Sequence, residues 1–140
     1  MNIVLDTNVL VSGFLSDRGT PARILGLAVE GRIRLCLDSR IAHEYERVLS
    51  KPKFGLSRIN IQSVLMVLYD DALWIEPPPF DISLPDPDDL MFVETAIAAL
   101  SDALVTGNKR HYPQHKMRAI KVLSPAEFIE LMRRKGRILD

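Results

Sequence analysis

Apolar positions along this 140-residue chain alternate between short β-branched runs and stretches repeating every three to four residues. Ile3-Val4-Leu5, Ile33 to Leu37, Leu73-Trp74-Ile75, Ala103 to Thr106 and Ala119 to Leu123 are too short for helices and end in polar or turn residues. They predict five short strands, the third at a sheet edge. Val9, Leu10 and Phe14 mark a first helix. Thr20 as N-cap and Pro21 at N1 predict a second, with Ile24, Leu25, Leu27 and Ala28 as its stripe and Gly31 as its stop. Ser39 is expected to cap a third helix reaching about Leu49, before Pro52 breaks it. Ser57 to about Leu73 reads as a fourth, with Ile61, Val64, Leu65 and Leu68 inward. Asp86 as N-cap and Pro87 at N1 predict a fifth, carrying Phe92, Val93, Ala96, Ile97 and Leu100. Ser124-Pro125-Ala126-Glu127 is a capping box for a sixth.

The resulting order, β-α-α-β-α-α-β-α-β-β-α, predicts an α/β fold: a mostly parallel sheet of about five strands, covered by helices on both faces in three layers. Pro77-Pro78-Pro79 makes a stiff connector, and its flanking pieces are too small to fold alone. Residues 1–140 are therefore expected to form a single domain.

Composition adds little by itself, since Lys plus Arg and Asp plus Glu balance at 18 each. The distribution says more. Acids gather in Asp81, Asp86, Asp88, Asp89 and Glu94, and bases in Lys109 to Arg118 and Arg133 to Arg137. An acidic pocket with basic flanks suits a metal-assisted site working on a phosphate backbone. The single cysteine, Cys36, excludes an internal disulfide, fits a reducing cytosol and sits in an apolar run as a small hydrophobe. With no signal-peptide pattern at the start and no apolar run long enough for a membrane span, a cytoplasmic protein without membrane contact is expected.

Ligands of open α/β sheets collect at the carboxyl ends of strands, where Asp6 closes the first strand and Thr106-Gly107-Asn108 follows the fourth. Asp89 would approach that rim if its helix packs beside the first strand. Glu44 shares a helix face with Ile41 and Val48 and would reach over from there, although pairing with Arg40 or Arg47 is an equally good reading. Capping and the helix macrodipole account for one or two of Asp86, Asp88 and Asp89 but do not require three acids within four residues. Asp6, Glu44, Asp89 and the Asn108 amide oxygen would together form a hard-oxygen cage for Mg²⁺ or Mn²⁺, unsuited to zinc.

Four stretches in order carry a resemblance: Ile3 to Val9; Ser39 to Glu44 with Leu49-Ser50-Lys51-Pro52-Lys53-Phe54; Asp86-Pro87-Asp88-Asp89 with Phe92, Glu94 and Ala96; and Val105-Thr106-Gly107-Asn108-Lys109. They resemble, over essentially the whole chain, the PIN-domain family, specifically the bacterial VapC-like toxin components of toxin–antitoxin systems. The resemblance maps the family's acids onto Asp6, Glu44 and Asp89, the last because the family's acid precedes a small helix residue by seven, here Ala96. It also places Asn108 where the family carries a fourth acid. An amide brings no charge, so a second cation there would be held weakly or only with substrate phosphate.

What the resemblance implies is a Mg²⁺- or Mn²⁺-dependent endoribonuclease, with Asp6, Glu44 and Asp89 catalytic and metal-binding and Asn108 as a further ligand. Asn8 and Thr106 would orient the ligands, and Lys109, Arg110 and Lys116 would grip the RNA backbone. A cognate antitoxin and a homodimer are implied as partners. For His111 and His115, plain surface positions are the better expectation. The rival readings are a catalytically weak or silent PIN-like RNA-binding or scaffold domain, and a receiver-like Mg²⁺-binding signalling module. Asp6 lacks the preceding acidic pair of a receiver pocket. An aspartyl phosphatase is disfavoured because Asn8 stands where its general acid is expected.

Overall fold

The first apolar run becomes the centre of the sheet because Ile3, Val4 and Leu5 are buried on both faces. A computed structural model describes residues 1–139. Its strands are β1 (Asn2–Leu5), β2 (Arg34–Leu37), β3 (Leu73–Trp74), β4 (Ala103–Val105) and β5 (Lys121–Leu123), in the order β3-β2-β1-β4-β5, every pairing parallel. The helices are α1 (Thr7–Leu15), α2 (Thr20–Val29), α3 (Ser39–Leu49), α4 (Arg58–Asp71), α5 (Leu90–Ala99) and α6 (Pro125–Arg134). They cover both faces, giving the three-layer α/β fold that the sequence predicts.

Strand order locates the crevice. The chain winds from β1 outward through β2 to β3, then crosses back to lay β4 on the other side of β1, with Ile3 opposite Ala103 and Leu5 opposite Val105. Winding reverses between β1 and β4, and at such a switch point the connections splay apart at the carboxyl edge. α5 packs on β1, β2 and β4, which brings its amino-terminal approach to that same edge.

One crossover is unusual. Parallel β4 and β5 are joined by residues 106–120, whose only helical pieces are two 3-10 turns, Lys109–His111 and Gln114–Lys116. In place of a helix, Tyr112, Met117 and Ile120 bury their side chains, and the Gln114 amide bonds both the Ile120 carbonyl and the Val122 N–H.

Several helix ends differ from expectation. Gly19, at φ 90°, precedes α2, so Thr20 is already helical. Asp38, not Ser39, caps α3, its carboxylate accepting from the Ile41 N–H at 2.9 Å. Asp86 caps a 3-10 turn, Pro87–Asp89, through the Asp88 N–H at 3.0 Å, and α5 begins only at Leu90. Leu100 takes a left-handed φ of 52° past the end of α5 and is exposed, so it leaves the apolar stripe. The Ser124–Glu127 capping box forms as predicted. At Gly13 the α1–α2 contact is close: a Cβ there would lie 3.0 Å from the Pro21 carbonyl oxygen.

Candidate active site

Asp6 follows β1 directly and continues the sheet, its N–H donating to the Val105 carbonyl at 2.9 Å. Its side chain is buried at the switch point, where Oδ2 accepts from the Thr106 hydroxyl at 2.8 Å and the Tyr112 hydroxyl at 3.1 Å. Burial raises the Asp6 pKa, and these hydrogen bonds offset part of the rise. Thr106 also accepts from the Asn108 N–H at 3.0 Å, and Asn8 accepts from the Gly107 N–H at 3.2 Å. The turn after β4 is thus tied to Asp6 and to the first turn of α1. Thr106 and Asn8 hold the rim in shape through these bonds.

Asp89 reaches the same rim from the 3-10 turn before α5. Its pKa is raised to about 6, first by partial burial and then by the charges of Asp6 and Asp86. Asp89 Oδ2 lies 3.0 Å from His111 Nδ1, and His111 Nε2 lies 2.9 Å from the Asn108 side-chain nitrogen. Tyr112, between Asp6 and Asp89, has its hydroxyl pKa driven far up by burial and by those two carboxylates. Asp86, Asp89 and His111 each offer a ligand atom, all within 4.8 Å of one another. Among the described residues no Lys or Arg forms an ion pair with Asp6, Asp86 or Asp89. Clustered carboxylates and an imidazole without a compensating cationic side chain are a donor set that fits a divalent cation.

Other expected site residues stand differently. Glu44 is partly buried on α3, hydrogen-bonded to Arg47 one turn on, and lies outside the Asp86–Asp89–His111 group. Asn108 directs its amide nitrogen to His111. Lys109 pairs with Glu127 at 2.9 Å, Lys116 donates to the Ser83 carbonyl at 2.6 Å, and Arg110 is exposed. Glu94 leaves the acidic pocket: it is buried, accepting from Arg40 at 3.0 Å and from the Phe80 N–H at 2.9 Å.

His111 and Tyr112 went unassigned in the sequence because neither lies on a strand or an amphipathic helix. His111 is no plain surface position. The one local signal was the His-Tyr pair closing a basic turn directly after Thr106-Gly107-Asn108.

Acidic side chains and an imidazole suited to a cation thus meet at the switch point of an all-parallel sheet. The family model of the PIN domain matches residues 2–110, and the chain belongs to that family. No curated protein matches it. Among solved structures, the chain is similar to one in a complex described as VapBC2 from Rickettsia felis bound to a DNA fragment from their promoter. The match has a TM-score of 0.58 and 18% identity, and covers 89% of this chain and 98% of the other. At that identity it shows the fold.

Proposed function

We propose that this protein is a Mg²⁺- or Mn²⁺-dependent endoribonuclease that hydrolyses RNA phosphodiester bonds as the toxin of a toxin–antitoxin pair. The observation that carries the reading is the approach of Asp6 and Asp89. They lie 83 positions apart in the chain, yet at the switch point the Asp6 charge helps raise the Asp89 pKa, and no Lys or Arg among the described residues pairs with either. Asp6 and Asp89 would hold the cation, with Glu44 turning from Arg47 and Asn108 offering its amide oxygen. The cation's chemistry in such a site is to lower the pKa of bound water and to offset charge developing on the phosphate.

The chain's own residues do the positioning. Thr106 and Tyr112 fix the Asp6 carboxylate, which limits its rotation when charged. Arg110 is available to a phosphate backbone, whereas Lys109 and Lys116 would first release Glu127 and Ser83. Likeness to a VapBC complex supports an antitoxin partner and a toxin role. A homodimer and a cytoplasmic site of action belong to the same reading. Among the described residues, no helix is long and apolar enough to cross a membrane.

A second reading, an RNA-binding PIN domain that does not cut, is favoured by the neutral Asn108 and by the Glu44–Arg47 pair. An RNA-cleavage assay with Mg²⁺ or Mn²⁺ on the wild type, Asp6→Asn and Glu44→Gln separates the two. Cutting by the wild type and its loss in both variants, with the fold retained, is expected. Undiminished cutting by Asp6→Asn would remove the nuclease assignment, and binding without cutting by the wild type would favour the silent domain.

A further inference from the structure

We infer that His111 is a ligand of the cation at this site and shifts its preference from Mg²⁺ toward Mn²⁺ and the later first-row divalent metals. The inference rests on the metal-dependent reading above.

His111 is clamped on both ring nitrogens, with Nδ1 3.0 Å from Asp89 Oδ2 and Nε2 2.9 Å from the Asn108 amide nitrogen. In the tautomer that has the amide donating to Nε2, the ring proton is on Nδ1 and is shared with Asp89. Two neighbouring ligands about 2.1 Å from an octahedral cation stand roughly 3.0 Å apart. The Nδ1–Oδ2 separation is therefore already that of a ligand pair. A cation bonded to both atoms lies off the line between them, so the imidazole and carboxylate turn about their side-chain bonds to admit it with the backbone in place. An Asp86 carboxylate oxygen stands within 4.8 Å as a third donor.

The proton balance is simple. Nδ1 releases its proton to solvent, and Nε2 takes one up, keeping the imidazole neutral. The Asn108 side chain then rotates so that Oδ1 accepts from Nε2–H, since an amide carries both donor and acceptor. In this arrangement Asn108 orients the nitrogen ligand through its oxygen instead of giving that oxygen to the cation, and His111 takes the fourth ligand's place. Part of the ring remains exposed, which gives the cation a way in.

Preference follows from ligand chemistry. Mg²⁺ is held through oxygens and sheds water reluctantly, so replacing an oxygen donor by imidazole gains it little. Mn²⁺, Co²⁺ and Zn²⁺ accept imidazole, with affinity rising along the first row toward copper.

The full chain, stripped with EDTA, is titrated with MnCl₂ and with MgCl₂ and followed by thermal shift and calorimetry. The Mn²⁺ form is then examined by pulsed electron paramagnetic resonance for nitrogen hyperfine coupling. A directly bonded nitrogen is expected in the wild type and absent in His111→Gln. The Mn²⁺ affinity of that variant should fall by about tenfold or more while Mg²⁺ binding changes by about twofold or less. Mn²⁺ bound without nitrogen coupling in the wild type overturns the inference, whether or not His111→Gln folds. In that case, loss of Mn²⁺ binding in Asp6→Asn shows that the metal-dependent reading survives. Failure of the wild type to bind either cation overturns both.

Discussion

Two clusters of carboxylates lie close together in this molecule and are stabilised in opposite ways. Asp38 and Glu94 are buried and share one guanidinium, with Arg40 2.7 Å from Asp38 and 3.0 Å from Glu94. The remaining Glu94 oxygen is taken by a backbone N–H. Asp6 and Asp89 receive hydroxyls, a backbone N–H and an imidazole but no Lys or Arg, and burial raises both of their pKa values. Where both negative charges meet a cationic side chain, the cluster holds the β2–α3 junction against α5. Where the charge is left over, a site for an external cation remains. A count of acidic residues does not distinguish the two.

The sharpest way to break the comparison is one neutralising substitution in each cluster. Asp89→Asn should lower RNA cleavage by about 10³-fold, the scale of losing one electrostatic group at a reacting centre, with cation-free stability held or raised. Glu94→Gln should leave metal-induced thermal stabilisation intact while costing about 2 kcal/mol in urea unfolding, a figure reduced because Arg40 is half exposed. Equal losses of activity in both would show that the clusters are not functionally distinct.

Arg40→Ala removes the shared partner and leaves two buried acids unpaired. It should cost about 2–3 kcal/mol in urea unfolding at neutral pH.

Acid response sharpens the contrast further. Asp6 and Asp89 have folded pKa values above their unfolded ones, the latter at about 6 against 3.8. The native state therefore binds more protons than the unfolded state in that window. The stability they contribute is full below the unfolded pKa and is lost as pH rises through about 6. In EDTA, the Tm of Asp89→Asn minus that of wild type should grow by a few degrees between about pH 4 and pH 7. Excess Mn²⁺ should reverse its sign at neutral pH, because only the wild type gains from binding. A flat difference would mean that burial is not the origin of the shift.

Smallest is Tyr112→Phe, which deletes one neutral donor to Asp6. It should cost about 1 kcal/mol, or roughly 3–5 °C in Tm, and weaken cation binding only modestly.

Much of the site was legible before any coordinates. Ile3-Val4-Leu5 ending in Asp6, and Ala103-Leu104-Val105 ending in Thr106, place their polar residues on one rim because parallel neighbours end on the same side. The local reading failed where two residues competed for one role. Ser39 and Asp38 can both cap α3, and the carboxylate, already at the end of β2, has the acceptor in position. Glu94 read as part of an acidic pocket because its partner, Arg40, is 54 positions away.

What the sequence determined unaided were the periodicities, the five strands, the breaks and the residue types able to bind a hard cation, all properties of neighbours along the chain. Only the tertiary structure decided which acids remain without a cationic partner. It brought Asp89 to Asp6, gave Glu94 to Arg40, and carried His111 and Tyr112 to the rim on a crossover with no α-helix. The reason is physical: the free energy of a charge depends on what lies within a few ångströms of it, and chain order fixes those neighbours only after the sheet has closed.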